Sequence, residues 1–256
     1  MQILQHFVKA NTNNHIIYRL KVAEWNQFID KLTDDFRLCY ISDSSLDDSA
    51  RKVNITASRF LEKYVLPTEP IIKSGDFGEM LCYFMVKEHL ESKSVLLCAP
   101  RKWRWKDNKN SPAPGVDAIM FHIANKTKFT NKDMVVTIES KMKAVRSKRH
   151  RIQDAINGAR KDRLTRLAKT LDWLEEKYAK LGKNKSRAMI ERFKDPATHG
   201  NYKKVHKAVA ILDGTLEAAE TRRPIKNSKG IIVLVFSIRD LRRAYEQTRM
   251  NIIASV

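Results

Sequence analysis

The sequence predicts an α/β protein, a central mixed β-sheet flanked by helices, with a small mixed lobe at the N-terminus. Three observations carry that reading. Strand-like and helix-like runs alternate along the 256 residues. Two C-terminal runs, VHKAVAILDG and GIIVLVFSI, are continuous enough in apolar character to be buried strands. Between them and an earlier group of three strand-like runs, the apolar period changes to that of a long helix. The resulting order is helix, three strands, long helix, strand, strand, helix, which is the order of a sheet covered by helices. Residues 1–70 are read as an N-terminal α/β lobe that can be integral to the core, and 71–256 as the main domain.

Taken in order, HIIYRLKV (15–22) reads as a strand, AEWNQFIDKL as a helix and FRLCYIS (36–42) as another strand. The acidic, serine-rich SDSSLDDSARK supplies helix-starting residues before VNITASRFLEKYVL, an amphipathic run that Pro67 and Pro70 bring to a stop. DFGEMLCYFMVKEHL is apolar on more than one side, so it is read as a well-buried helix starting near Asp76, with Glu79 in its first turn. SVLLCAP (94–100), VDAIMFHI (116–123) and MVVTIESKMKA (134–144) follow as strands.

The loop RKWRWKDNKNSPAPG mixes two tryptophans with five basic residues, and two readings stand open: a base-stacking, phosphate-gripping loop, or a tryptophan pair folded onto the core. From about Ser147 a long helix is expected, with Leu164, Leu167, Leu171, Leu174, Tyr178 and Leu181 at alternating spacings of three and four. That seam packs either within the chain or on a partner. Gly182 ends the helix, SRAMIERF forms a shorter one, and RDLRRAYEQTRM closes the chain as a helix.

Composition excludes several classes. No run approaches the roughly 18 apolar residues of a membrane span, and the first residues lack the basic start and apolar stretch of a signal peptide. The expected location is the cytoplasm. Cys39, Cys82 and Cys98 are odd in number and set in apolar sequence, and they read as reduced core residues. The histidines make no ligand-spaced pair for structural zinc. No P-loop occurs, and the DFG at 76–78 has no kinase companions. The net charge is +20, and between Lys141 and Lys207 21 Lys and Arg stand against 7 Asp and Glu, a net +14. Such a concentration favours a polyanion, nucleic acid first.

The chemistry concentrates in PAPGVDAIMFHIANKTKFTNKDMVVTIESKMKA, residues 112–144, where carboxylates stand beside apolar strands. A charge beside a sheet core is costly unless compensated. With period two, Met134, Val136, Ile138 and Met142 share one face and Glu139 and Lys141 the other. If the two runs pair about a turn near Lys128, facing residues have numbers summing to 256, and Asp117 sits level with Glu139. Their side chains then start about 5 Å apart and repel unless a cation or proton lies between. A hard divalent ion such as Mg²⁺, or Mn²⁺, suits one to three carboxylates, and Glu79 is the third candidate. Lys141 supplies positive charge where hydroxide attacks a phosphodiester.

These residues carry a resemblance. Asp117, a strand pair and Glu139-Ser140-Lys141 are similar to the D…(D/E)-x-K signature of the PD-(D/E)xK nuclease superfamily, whose helix, three strands, helix, strand core matches residues 75 to about 214. More closely, Gly78-Glu79, Gly115-Val116-Asp117 and Glu139-Ser140-Lys141 resemble the HamA family of effector subunits of Hachiman antiphage defence systems, over essentially the whole chain. The usual Pro-Asp is replaced here by Gly115-Val116-Asp117.

The resemblance implies a restriction-endonuclease-like core and a metal-dependent DNase, with Glu79, Asp117 and Glu139 holding Mg²⁺ and Lys141 orienting water or stabilising the transition state. It also implies a partner, a HamB-like helicase of superfamily two, that keeps the nuclease quiet until DNA is sensed. Gln153 is expected to support the site from the following helix. Lys143, Arg146, Lys148, Arg149, Arg151, Trp103 and Arg104 are the expected DNA contacts. The competing expectation is a non-catalytic DNA-binding or helicase-docking module whose charges are a solvated sheet edge.

Overall fold

The computed structural model describes residues 2–92, 95, 97–194 and 202–256. Its centre is a six-stranded mixed sheet of order β1-β2-β6-β5-β4-β3. The strands are β1 (Phe7–Asn11), β2 (Ile16–Leu20), β3 (Ala118–His122), β4 (Met134–Lys143), β5 (Lys203–Asp213) and β6 (Ile231–Ile238). The two edge pairs, β1/β2 and β3/β4, are antiparallel. The inner pairs β2/β6, β6/β5 and β5/β4 are parallel, which is why β5 and β6 are apolar on both faces.

Alternation sorts the strand residues between two helical layers. Val136, Ile138, Val209, Ile211, Leu234 and Phe236 face a core built with α1 (Trp25–Tyr40), α4 (Pro70–Glu91) and the C-terminal helix. Ala208, Ala210, Leu212, Val233 and Val235 face the other way, onto α5 (Arg151–Lys161). Beside them Ile119, Phe121 and Val135 pack on α6 (Leu167–Lys180) and α7 (Asn184–Lys194). Leu167, Leu171, Leu174 and Tyr178 of the expected seam are buried there, so the seam is internal. Only its ends, Leu164 and Leu181, are exposed.

Several boundaries differ from expectation. FRLCYIS is not a strand but the second half of α1: Phe28, Ile29, Leu32, Phe36 and Cys39 continue one helical stripe, and all are buried. SDSSLDDSARK is itself a helix, α2 (Asp43–Lys52), whose start Ser42 caps by accepting the Ser45 N–H at 3.3 Å. It leads into α3 (Ala57–Phe60), which tightens into a π turn, Leu61–Val65, before Leu66. Helix α4 begins at Pro70, at its first position, six residues before Asp76.

Of the expected strand 94–100, Ser94 and Leu96 lie outside the described residues, and Cys98 makes an isolated bridge to Phe121. Cys98 is also exposed, unlike Cys39 and Cys82, because it flanks the sheet's edge. Strand β1, unforeseen, adds to β2 and ties the first 70 residues to the sheet. Among the described residues, the further α-helices are α8 (Glu217–Thr221) and α9 (Leu241–Ala254). None of the described helices is long and apolar enough to cross a membrane.

Candidate active site

The β3/β4 hairpin has the register that a turn centred near Lys128 gives. Ala118 faces Ile138 and His122 faces Met134, and every pair between them keeps the same sum. Asp117 is therefore level with Glu139. Strand β3 begins only at Ala118, one residue after Asp117, so beside Ser140 the edge of β4 has no strand to bond. Asp117 Oδ2 takes over that role, accepting the Ser140 N–H at 2.8 Å and the Ser140 hydroxyl at 3.1 Å.

The turn that presents Asp117 is held from below. Lys102 is buried at 1 % exposure, and its ammonium donates to the carbonyls of Val116 and, at 3.1 Å, Pro114. Gly115 has φ +82°, and a Cβ there would fall 2.3 Å from Thr170 Oγ1. Thr170 accepts the Val116 N–H at 3.1 Å and donates to the Arg166 carbonyl at 2.7 Å. Glycine at 115 is thus demanded by both backbone conformation and contact with α6.

Glu139 is 2 % exposed and bonded by two cations: Lys141 Nζ at 2.5 Å on Oε1 and Arg166 Nη1 at 2.8 Å on Oε2. Room for it exists because α5 has Gly158 against its carboxylate. Burial, then the charge of Asp117, raises the Glu139 pKa against the pull of Lys141 and Arg166. Burial lowers the Lys141 pKa, but Asp117, Glu139 and Glu79 outweigh it and leave it raised.

Glu79 comes from α4 on the opposite layer. Its pKa is pushed up to about 8, by burial first and then by Asp117, and Trp103 donates its indole N–H to Oε2 at 3.0 Å. The charge of Asp117 thus bears on Glu79, Glu139 and Lys141 alike, so the four expected residues lie within electrostatic reach of one another.

Two residues of the site had no signal in the sequence. Between α5 and α6 the helix opens into a π turn, Asp162–Arg166. It delivers Arg166 to Glu139 and also buries Asp162 completely, with Oδ1 at 3.2 Å from Arg166 Nη1. Burial, then Glu139 and Asp117, pushes the Asp162 carboxyl up to about 7. Glu139, Lys141 and Arg166 open onto a cleft of about 390 Å³, whose other lining residues include Arg149, Arg151, Asp154 and Lys161.

The remaining expectations divide. Arg149 and Arg151 line that cleft, whereas Arg146 and Lys148 are exposed and line a separate pocket with Thr215, Ala219 and Glu220. Lys143 is corrected from surface contact to internal tie: it is 7 % exposed, and its ammonium donates to Ser147 O, Arg149 O and Glu220. Trp103 is likewise no stacking platform, being 2 % exposed and edge-on to Tyr83. Trp105 packs on Trp173 and Tyr178, so the tryptophan loop is folded onto the protein. Arg104 stays exposed with its guanidinium on the Leu38 carbonyl. Gln153 does not line the cleft: its side chain bonds Asn157 Oδ1 and the backbone of Lys226.

The donor chemistry fits a hard divalent cation. Glu79, Asp117 and Glu139 offer only carboxylate oxygen, and burial first, then the charge of Asp117, raises the pKa of Glu79 and of Glu139. Among the described residues no three His, Cys, Asp or Glu side chains close into a ready ligand cage. The two Glu139 oxygens are instead engaged by the cations of Lys141 and Arg166.

A family model described as HamA matches residues 2–243 of the chain. No curated protein matches it.

Proposed function

The chain belongs to the HamA family, and from that premise we propose that it is the nuclease effector of a Hachiman antiphage defence complex, a DNA endonuclease dependent on Mg²⁺ or Mn²⁺. The observation that carries this reading is Asp117 level with Glu139 across a hairpin, with Lys141 beside them and a basic cleft in front. A helix, a strand pair, a second helix and a parallel strand surround these residues, which supports a PD-(D/E)xK-like core.

Glu79, Asp117 and Glu139 would hold the metal, which supplies Lewis-acid charge and an activated water for phosphodiester hydrolysis. Asp117 is fixed for that task by Ser140 and Glu79 by Trp103. Lys141 remains protonated in its acidic surroundings, so it offers positive charge to the phosphate oxygens as their negative charge grows. The basic cleft binds the DNA backbone beside it. A HamB-like helicase would hold the nuclease inactive until DNA is sensed.

Supercoiled plasmid incubated with the protein and Mg²⁺, alone and with the helicase, tests this. Cleavage should require Mg²⁺, stop in EDTA, and vanish with Glu139→Ala or Lys141→Ala. Cleavage surviving both substitutions would remove the site. DNA binding without cleavage under every condition would leave a binding or docking module.

A further inference from the structure

We propose that Arg166, anchored by the buried Asp162, is the cation of this cleft that engages the phosphate to be cleaved. The inference rests on the phosphodiesterase reading and adds a residue pair to it.

Arg166 Nη1 is shared between Glu139 Oε2 at 2.8 Å and Asp162 Oδ1 at 3.2 Å. Both bonds use that single nitrogen, so the guanidinium is tethered at one corner while the side chain lines the cleft at 32 % exposure. The fork of a guanidinium matches two phosphate oxygens at once, which the Lys141 ammonium cannot do.

Asp162 explains little as a stabilising residue. It is fully buried and its Oδ2 has no hydrogen-bond partner. A buried carboxylate left half-satisfied is costly, and an apolar side chain beside Leu167 and Leu171 would pack there at less cost. What Asp162 does have is Arg166. The π turn that carries both breaks the regularity of a helix at this one point along the cleft, and such turns concentrate at functional sites.

The anchor answers a chemical need. A metal drawing on Glu139 competes with the bond from Arg166, and without a second carboxylate the guanidinium would swing into solvent. Asp162 keeps it beside Lys141. The other cleft cations are placed differently: Arg149 and Lys161 are exposed, and Arg151 pairs with Asp154 at 3.3 Å.

The test compares wild type, Arg166→Gln, Arg166→Lys, Asp162→Asn and Arg160→Gln, the last an exposed arginine of α5 outside the cleft. A fluorescent DNA duplex is titrated in EDTA across a salt series, single-turnover cleavage is followed in Mg²⁺ at saturating protein, and melting is recorded for each variant. Arg166→Gln should weaken binding and lower the log–log salt slope by about one, and slow cleavage at least about a hundredfold beyond Arg160→Gln. Arg166→Lys should keep the salt slope and recover only part of the rate. Asp162→Asn should slow cleavage at saturation without weakening binding, since it removes a negative charge, and with no fall in melting temperature.

Arg166→Gln behaving like Arg160→Gln in both assays would overturn the proposal. So would a rate loss in Asp162→Asn fully explained by lower melting temperature. If wild type binds but never cleaves, the phosphodiesterase reading fails, while the binding arm still decides whether Arg166 meets phosphate.

Discussion

Gly158 of α5 stands so close to Glu139 of β4 that a Cβ on it would fall 2.2 Å from Oε1 and 2.3 Å from Cδ. In an ordinary helix interior, replacing Gly by Ala stabilises by about 0.5–1 kcal/mol. Here the added methyl has to displace a carboxylate that two cations hold, and overpacking of that kind costs about 1–3 kcal/mol. Gly158→Ala should therefore lower stability by about 1 kcal/mol in urea denaturation instead of raising it. Plasmid cleavage should drop at least about tenfold, because small displacements of a reacting group are expensive. A more stable, fully active variant would mean that Glu139 moves freely and is not positioned by α5.

Lys102 concerns the other carboxylate of the hairpin. Its ammonium collects the carbonyls of Pro114 and Val116 behind Asp117, in a place closed to water. Lys102→Met keeps the volume of the stem but leaves those carbonyls unbonded, at about 1–3 kcal/mol. We expect that loss in urea denaturation, together with weaker Mg²⁺-dependent cleavage because the Gly115–Asp117 turn loosens. DNA affinity in EDTA should stay near wild type. If affinity falls while stability does not, Lys102 is a DNA contact and not a turn anchor.

The hairpin register followed from one assumption, a turn centred near Lys128, and the observed pairs keep it; a one-residue slip would have sent Asp117 and Glu139 to opposite faces. The second half of α1 was not legible, since FRLCYIS alone is short, aromatic and β-branched at its end. Its helical stripe is visible only when joined to Phe28 and Leu32. Asp162 and Arg166 were out of reach for a different reason: a π turn shifts helix phase without any residue-type signature. Gln153 was expected at the site from the resemblance alone, and it bonds Asn157 and the Lys226 backbone instead. Lys143 and Trp103 show the limit of reading charge and aromaticity as surface. Each finds its partner inside, on Glu220 and Glu79 respectively.

Glu79 gives the site a pH signature. Its carboxyl is raised to about 8 from an ordinary 4.5. Below 4.5 the group is protonated whether the chain is folded or not. Between there and about 8 the unfolded chain has lost the proton that the folded chain keeps, so stability falls as pH rises through this window. Metal-free protein should consequently unfold at lower urea at about pH 8 than at about pH 6, and Glu79→Gln should flatten that difference. Added Mg²⁺ should protect more at the higher pH, where the ionised carboxylate is its ligand. Identical pH slopes in wild type and Glu79→Gln would show that Glu79 titrates as an ordinary glutamate.

Lys143 and Arg149 are close in sequence and equal in charge, yet their environments assign them opposite consequences. Lys143 Nζ sits 2.7 Å from Glu220, with side chains 7 % and 3 % exposed, and Glu220 also accepts the Arg151 N–H at the start of α5. Removing the lysine leaves the buried Glu220 with only the long contact to Arg223 at 3.5 Å and the Arg151 N–H, a change at the low end of about 3–5 kcal/mol. Arg149 side-chain loss touches only the rim of the cleft. Lys143→Met should thus lower the urea midpoint sharply while the salt slope of DNA binding, measured on whatever remains folded, is unchanged. Arg149→Ala should leave the midpoint within about 0.5 kcal/mol and lower that slope by about one. The reverse pattern would return Lys143 to the DNA-binding surface and place the Glu220 pair outside the fold's support.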